Sequence, residues 1–190
     1  MKTVYLDTNI LLTLLRHTEA DYQDVIELAK QKHLNFVTGT ISIIELSSVL
    51  SREFNILKKG LQDHETSVPF KELVQFPKDE QLIVIIRFLL EWFHTSILDD
   101  LSPEIGLSTH SFFKINPVFR LASRQSHITE LRSLDSVHFA TAKLYDDILG
   151  IRIHYLVTAD GNFLAKRAEC QSVSNILIVN PQTLIDLECA

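Results

Sequence analysis

The chain has 190 residues, 46% of them hydrophobic and 22% charged, with a formal net charge of -6. This length and apolar share predict one globular domain and exclude a disordered chain. The acidic balance excludes a protein that coats nucleic acid broadly, but it leaves room for a local basic rim around a site.

Residues 3–6 are a short β-rich apolar run ending at Asp7, as suits a strand covered on both faces of a parallel sheet. Thr8 or Asn9 can cap the helix that follows, whose apolar face is Ile10, Leu11, Leu14 and Leu15. Asp7 and Asn9 interrupt the opening apolar run and no small-residue cleavage site follows, which predicts a strand and helix rather than a signal peptide. A second helix is predicted over 20–32 and a second strand over 35–38. Gly39 and Thr40 then turn the chain into a helix over 43–54. Ser42 is a candidate N-cap, and Glu45 stands three residues later, as in a capping box. That glutamate also sits among Ile44, Leu46, Val49 and Leu50, just after a strand, where open parallel sheets bind ligands.

Residues 55–69 read as a polar loop, 70–76 as a short helix and 77–97 as a long one. The apolar run at 82–93 is interrupted by Arg87 and Glu91 and is too short to span a bilayer, so a buried helix and no membrane segment are expected. A loop at 99–109 leads to a helix over 111–125, interrupted at Asn116 and Pro117, where proline suits a first turn. A helix over 134–149 closes at Gly150, a third strand covers 153–157, a short helix 162–168 and a fourth strand 176–179. Asn180 and Pro181 start a last helix to 187. The alternation predicts an α/β fold with a parallel sheet in a single domain over 1–190, with 55–130 as a helical insertion. The two cysteines, Cys170 and Cys189, form no CxxC pair and predict a reducing, cytoplasmic setting.

Four acids occupy apolar settings. Asp7 and Asp160 close strands, whereas Glu45 and Asp135 open helices, and parallel strands would gather all four at one sheet edge. Asp135 lies among Val137, Phe139, Ala140 and Ala142, with no obvious charge partner. Burying such a carboxylate costs several kcal/mol unless a cation or hydrogen bonds compensate. Four clustered carboxylates repel one another, and a hard divalent cation removes that conflict with oxygen ligands. Asn9 and Thr158 stand beside acids and can orient a carboxylate or a water. Taken singly, Asp7 suits a helix cap, Asp160 an Asx turn and Glu45 a capping box. The ordered set is more specific than any member.

This set resembles the PIN-domain family, in particular the VapC-like ribonucleases of toxin–antitoxin pairs. The matching pieces are Leu6-Asp7-Thr8-Asn9, Ser42-Ile43-Ile44-Glu45-Leu46, Leu131 to His138, and Val157-Thr158-Ala159-Asp160-Gly161-Asn162-Phe163. The resemblance covers roughly 2–54 and 130–180. It implies a three-layer α/β/α sandwich with a parallel central sheet and an extra helical insertion. It implies Mg²⁺- or Mn²⁺-dependent cleavage of RNA, with Asp7, Glu45, Asp135 and Asp160 as the catalytic, metal-holding acids. Asn9 and Thr158 match the family's common polar positions. An antitoxin protein and a homodimer are the implied partners. Two departures stand out: Asn162 replaces a further acid carried by many relatives, and the stretch between Glu45 and Asp135 is longer than in compact toxins.

Those departures motivate an alternative, a catalytically weak or inactive PIN-like module that binds RNA or a protein. A phosphotransfer enzyme with Asp7 as nucleophile is disfavoured, because Asn9 stands where its second acid is expected. His138 shares a helix face with Asp135; a metal or general-base role is open to it, but the reading as a buried histidine behind the acids is favoured, since no HxxxH or Cys/His cluster accompanies it. Arg52, Lys58, Lys59, Arg120, Arg124, Arg132, Lys143, Lys166 and Arg167 are candidate phosphate contacts. Trp92 and Phe93, and Phe112 and Phe113, are read as core or contact aromatics rather than base-stacking groups.

Overall fold

A computed structural model of the chain describes residues 1–16, 19–62, 77–98 and 116–189, with the side chains of 55–62 and 189 outside the description. Residues 55–62 of the expected polar loop are helical instead, continuing the helix that begins at Thr40, whereas the rest of that loop, the short helix at 70–76, the loop at 99–109 and the pair Phe112 and Phe113 lie outside these residues.

The described strands are β1 (Lys2–Leu6), β2 (Leu34–Gly39), β3 (Ser96–Leu98), β4 (Ile153–Val157) and β5 (Leu177–Val179). They form one sheet in the order β3-β2-β1-β4-β5, and every pairing is parallel. The helices are α1 (Thr8–Thr13), α2 (Tyr22–Ala29), α3 (Thr40–Gln62), α4 (Lys78–Trp92), α5 (Pro117–Thr129), α6 (Ser133–Ile148), α7 (Gly161–Ala165), α8 (Arg167–Gln171) and α9 (Pro181–Cys189).

Alternate side chains of each strand leave by opposite faces, and both faces are apolar. Val4, Leu6, Tyr155 and Val157 join Ile10, Leu28, Leu46, Leu50, Leu89 and Leu184 in one core. Tyr5, Val37 and Leu156 join Val118, Phe139, Ala140, Phe163 and Cys170 in the other. Helices α1, α2, α3, α4 and α9 therefore cover one face and α5 to α8 the other, giving the three-layer α/β/α sandwich. Phe93 is fully buried and packs edge-on to Phe36, so this aromatic belongs to the core. No helix among the described residues is long and apolar enough to cross a membrane.

Three local outcomes differ from the sequence expectations. The long helix stops at Trp92, because His94 takes a left-handed backbone (φ 50°), and the chain then extends into β3. Helix α3 starts at Thr40, directly after β2. Ser42 is consequently inside the helix, hydrogen-bonded to Thr38 Oγ1 at 2.6 Å, and no capping box forms. The cap of α1 is Asp7 itself, which accepts from Thr8 N, rather than Thr8 or Asn9. Elsewhere the local chemistry matches: Asn116 caps α5, Asn180 Oδ1 accepts from Thr183 N, and Gly150 takes φ 65° just beyond α6.

Gly39 is where the sheet meets the site. A Cβ there would lie 2.7 Å from Tyr5 Oη and 3.1 Å from Thr141 Cγ2. Gly39 N also donates to Tyr5 Oη at 3.2 Å. Gly39→Ala is expected to lower stability by about 1–3 kcal/mol through overpacking. Tyr5→Phe in the same background should cost less than it does alone, because the clash is then relieved. Urea denaturation midpoints of the two single variants and the double variant check this coupling.

Candidate active site

Parallel strands bring the ends of β1, β2 and β4 to one edge. The ladder continues past the strands, with Asp7 N donating to Val157 O and Thr158 N to Val179 O. This fixes the backbone of both residues before any side chain acts.

Asp7 is 5% exposed and is held by three donors. Thr8 N lies 2.7 Å from Oδ1, while Asn9 Nδ2 and Thr158 Oγ1 lie 2.8 and 2.6 Å from Oδ2. Asn9 also accepts from Ala159 N, and Thr158 Oγ1 accepts from Asp160 N, so the two polar residues stitch the end of β1 to the loop carrying Asp160. Burial pushes the Asp7 carboxyl up; the charge of His138 and the bond from Thr158 oppose this without cancelling it.

Asp160 caps α7, with Oδ1 accepting from Asn162 N at 2.7 Å and Phe163 N at 3.3 Å. The cap and Asx-turn chemistry is real, but it occupies one oxygen. The other, Oδ2, lies 3.7 Å from Arg132. Asn162 contributes its backbone N–H here, and its side chain is exposed. Asp135 stands in the first turn of α6 and is partly buried. It accepts no hydrogen bond from the described residues. Burial first, then the charges of Asp7 and Asp160, push its carboxyl up to about 6; His138 and Arg132 oppose them.

Glu45 reaches across from α3. Its Oε2 accepts from Thr8 Oγ1 at 2.5 Å and lies 2.6 Å from His138 Nε2. Burial opposes its charge, but the hydrogen bond and charge of His138, with the bond from Thr8, hold the carboxyl below its usual range. His138 is 1% exposed, and its Nε2 is also 3.5 Å from Asp7 Oδ1. Burial disfavours a charged ring, yet Asp7 and Glu45 raise its pKa above the ordinary value. One donor atom from each of Asp7, Glu45 and His138 lies within 4.8 Å of the others.

The four acids thus meet unequal fates. Glu45 is neutralised by protein, whereas Asp135 carries charge that Asp7 and Asp160 penalise. Carboxylate oxygens gathered around a strained Asp135 suit a hard divalent cation. His138, expected as a buried histidine behind the acids, is 1% exposed and lies directly against Asp7 and Glu45. Tyr5 was not singled out, and Thr8 was singled out only as a candidate helix cap; nothing local marks the bonds of their side chains to His138 and Glu45, which lie on distant elements. Among the sequence's candidate cations, Arg132 pairs with a site acid, whereas Lys143 pairs with Asp147 and Lys166 with Glu130.

The Asp135 carboxyl offers a direct check on the electrostatics. Its folded value of about 6 exceeds the ordinary 3.8, so its charge costs stability fully above pH 6, and the cost fades as pH falls to 3.8. Asp135→Asn should therefore stabilise the metal-free protein at pH 7, by on the order of 1 kcal/mol after solvent screening. The gain should vanish toward the acid end of that window in thermal melts with EDTA present.

Comparison with known proteins adds to this geometry. No curated protein matches the chain. Among solved structures, the chain is similar to the crystal structure of VapBC2 from Rickettsia felis bound to a DNA fragment from their promoter. The identity is 15%, covering 94% of this chain and 98% of that chain, with a TM-score of 0.47. The PIN domain family matches residues 4–169, nearly the whole of the sandwich and all four acids. The chain belongs to the PIN-domain family.

Proposed function

We propose that the protein is a metal-dependent endoribonuclease whose site is the carboxylate edge of the sheet. The observation that carries this reading is Asp135, a carboxylate without a hydrogen-bond donor among the described residues, pushed up to about 6 by burial and by Asp7 and Asp160. Asp7, Asp135 and Asp160 are the residues that would hold Mg²⁺ or Mn²⁺, with Glu45 beside them. Such a cation would supply an acidified water and charge stabilisation for in-line hydrolysis of a phosphodiester, and the products expected of that chemistry are a 5′-phosphate and a 3′-hydroxyl.

The chain's own residues supply the rest. Asn9 and Thr158 hold Asp7 Oδ2, so the carboxylate is oriented before any ligand arrives. Asp160 is fixed by the first turn of α7, and the N-terminus of α6 favours the anion at Asp135. Arg132, two-thirds exposed at the rim and loosely paired with Asp160, is placed to meet a phosphate of the RNA. The finer parts of the reading are a toxin role with an antitoxin partner and a homodimer. A small gene adjacent to this one, with a product that co-purifies and blocks cleavage, would support the first; solution mass would decide the second.

Purified protein incubated with a mixed RNA panel should cleave with Mn²⁺ or Mg²⁺ and stop with EDTA. Asp135→Asn should lose at least about 100-fold in rate. Cleavage that survives EDTA contradicts the proposal, and folded protein that binds RNA without cutting it favours a binding module. Arg132→Ala should raise KM about tenfold with kcat little changed, as expected for a charged contact made equally in ground and transition states.

A further inference from the structure

His138 Nε2 admits two roles. Its position within 4.8 Å of Asp7 and Glu45 oxygens is what a histidine ligand to a cation would show. The hydrogen bonds around it favour the other role. Nε2 and Glu45 Oε2 are 2.6 Å apart, a separation at which two bare lone pairs would repel, so a proton lies between them. A carboxylate oxygen accepts, so Nε2–H donates. Thr8 cannot supply that proton, because its hydroxyl already donates to the same oxygen.

The other side of the ring is equally constrained. Nδ1 lies 2.9 Å from Tyr5 Oη, and that oxygen accepts from Gly39 N. Tyr5 is fully buried and stands edge-on to the imidazole at 5.9 Å between centroids. The ring is therefore held from behind by a strand residue that a side chain at position 39 would displace. Both described bonds to Glu45 end on Oε2, which leaves Oε1 without a donor among the described residues.

We infer that His138 is a positioning residue and not a metal ligand. Its Nε2–H, backed by Tyr5 and aided by Thr8, holds Glu45 by Oε2, so that Asp7, Asp135 and Asp160 take the cation while Glu45 stands beside them. The geometry requires only a proton on Nε2, so the neutral Nε2–H tautomer and the imidazolium both satisfy it. The arrangement does not depend on the nuclease reading, although its effect on cleavage rests on it.

Nitrogen-15 NMR of the imidazole rings, assigned by loss of one signal set in His138→Gln, reads the arrangement directly. In metal-free protein Nε2 should show a protonated-type shift, and it should keep that shift at saturating Mg²⁺. A bare Nε2 without metal, or loss of its proton on Mg²⁺ addition, would overturn the inference. Glutamine retains an N–H donor near the Nε2 position, whereas leucine does not. His138→Gln should cleave RNA within about fivefold of wild type, while His138→Leu should lose about 10–100-fold. Mn²⁺ affinity, measured by calorimetry without RNA, should weaken by no more than about threefold in either variant, because no ligand is removed. A tenfold or greater loss of Mn²⁺ affinity in His138→Gln would make the imidazole a ligand. If wild type binds no Mn²⁺ the nuclease reading fails, and the metal-free ring shift still decides the His138–Glu45 bond.

Discussion

Asp7 is a nearly buried carboxylate at the end of a central strand, and much of the sheet edge is arranged around keeping it there. The backbone of Thr8, the amide of Asn9 and the hydroxyl of Thr158 each donate to it, and His138 approaches from α6. These groups come from three separate elements, so the charge can be held only if β1, β4 and α6 are in register with one another. That register depends on the parallel ladder, where Leu6 pairs with Val157 and the next residue, Asp7, still bonds to Val157. A buried anion thus couples the correct assembly of the sandwich to the formation of the site.

The same edge holds two opposite solutions to clustered charge. Around Glu45 the protein supplies its own compensation, through a histidine and a threonine. Around Asp135 it supplies little: Arg132 is exposed and screened, and Asp7 and Asp160 act against it. A fold that left Asp135 charged against Asp7 and Asp160 without purpose would gain stability by replacing it. Their retention is physically sensible if a cation completes the set. Rigidity matters as well, since the donors on Asp7 and Asp160 fix where any ligand oxygen can be.

Much of the architecture could be read from the chain because its signals are local. The runs ending at Asp7 and Thr158 are short, apolar and two-sided, and they became β1 and β4 at the centre of the sheet. The helix following Arg132 and its stop at Gly150 were equally plain. What escaped had no local mark. Strand β3 follows α4 through a left-handed histidine, a conformation that no glycine announces, and Ile97 and Leu98 simply prolong the apolar pattern of the helix. Glu45 resembled a capping-box residue, but α3 begins two residues earlier than Ser42 and the carboxylate turns outward to α1 and α6. The bonds from His138 to Tyr5 and to Glu45 join residues 133 and 93 positions apart, and no spacing rule connects them. Local chemistry therefore marked the acids; only the packing of α3 against α1 and α6 showed that Glu45 is bound by Thr8 and His138.

The account's central claim is the division of the acids into a cation-holding trio and one protein-bound glutamate. The most direct measurement is anomalous diffraction from crystals soaked in Mn²⁺. The account predicts a manganese peak bounded by the carboxylates of Asp7, Asp135 and Asp160, with the His138–Glu45 bond intact. A peak held instead by His138 Nε2 and Glu45, or soaked crystals with no peak at the sheet edge, would contradict it.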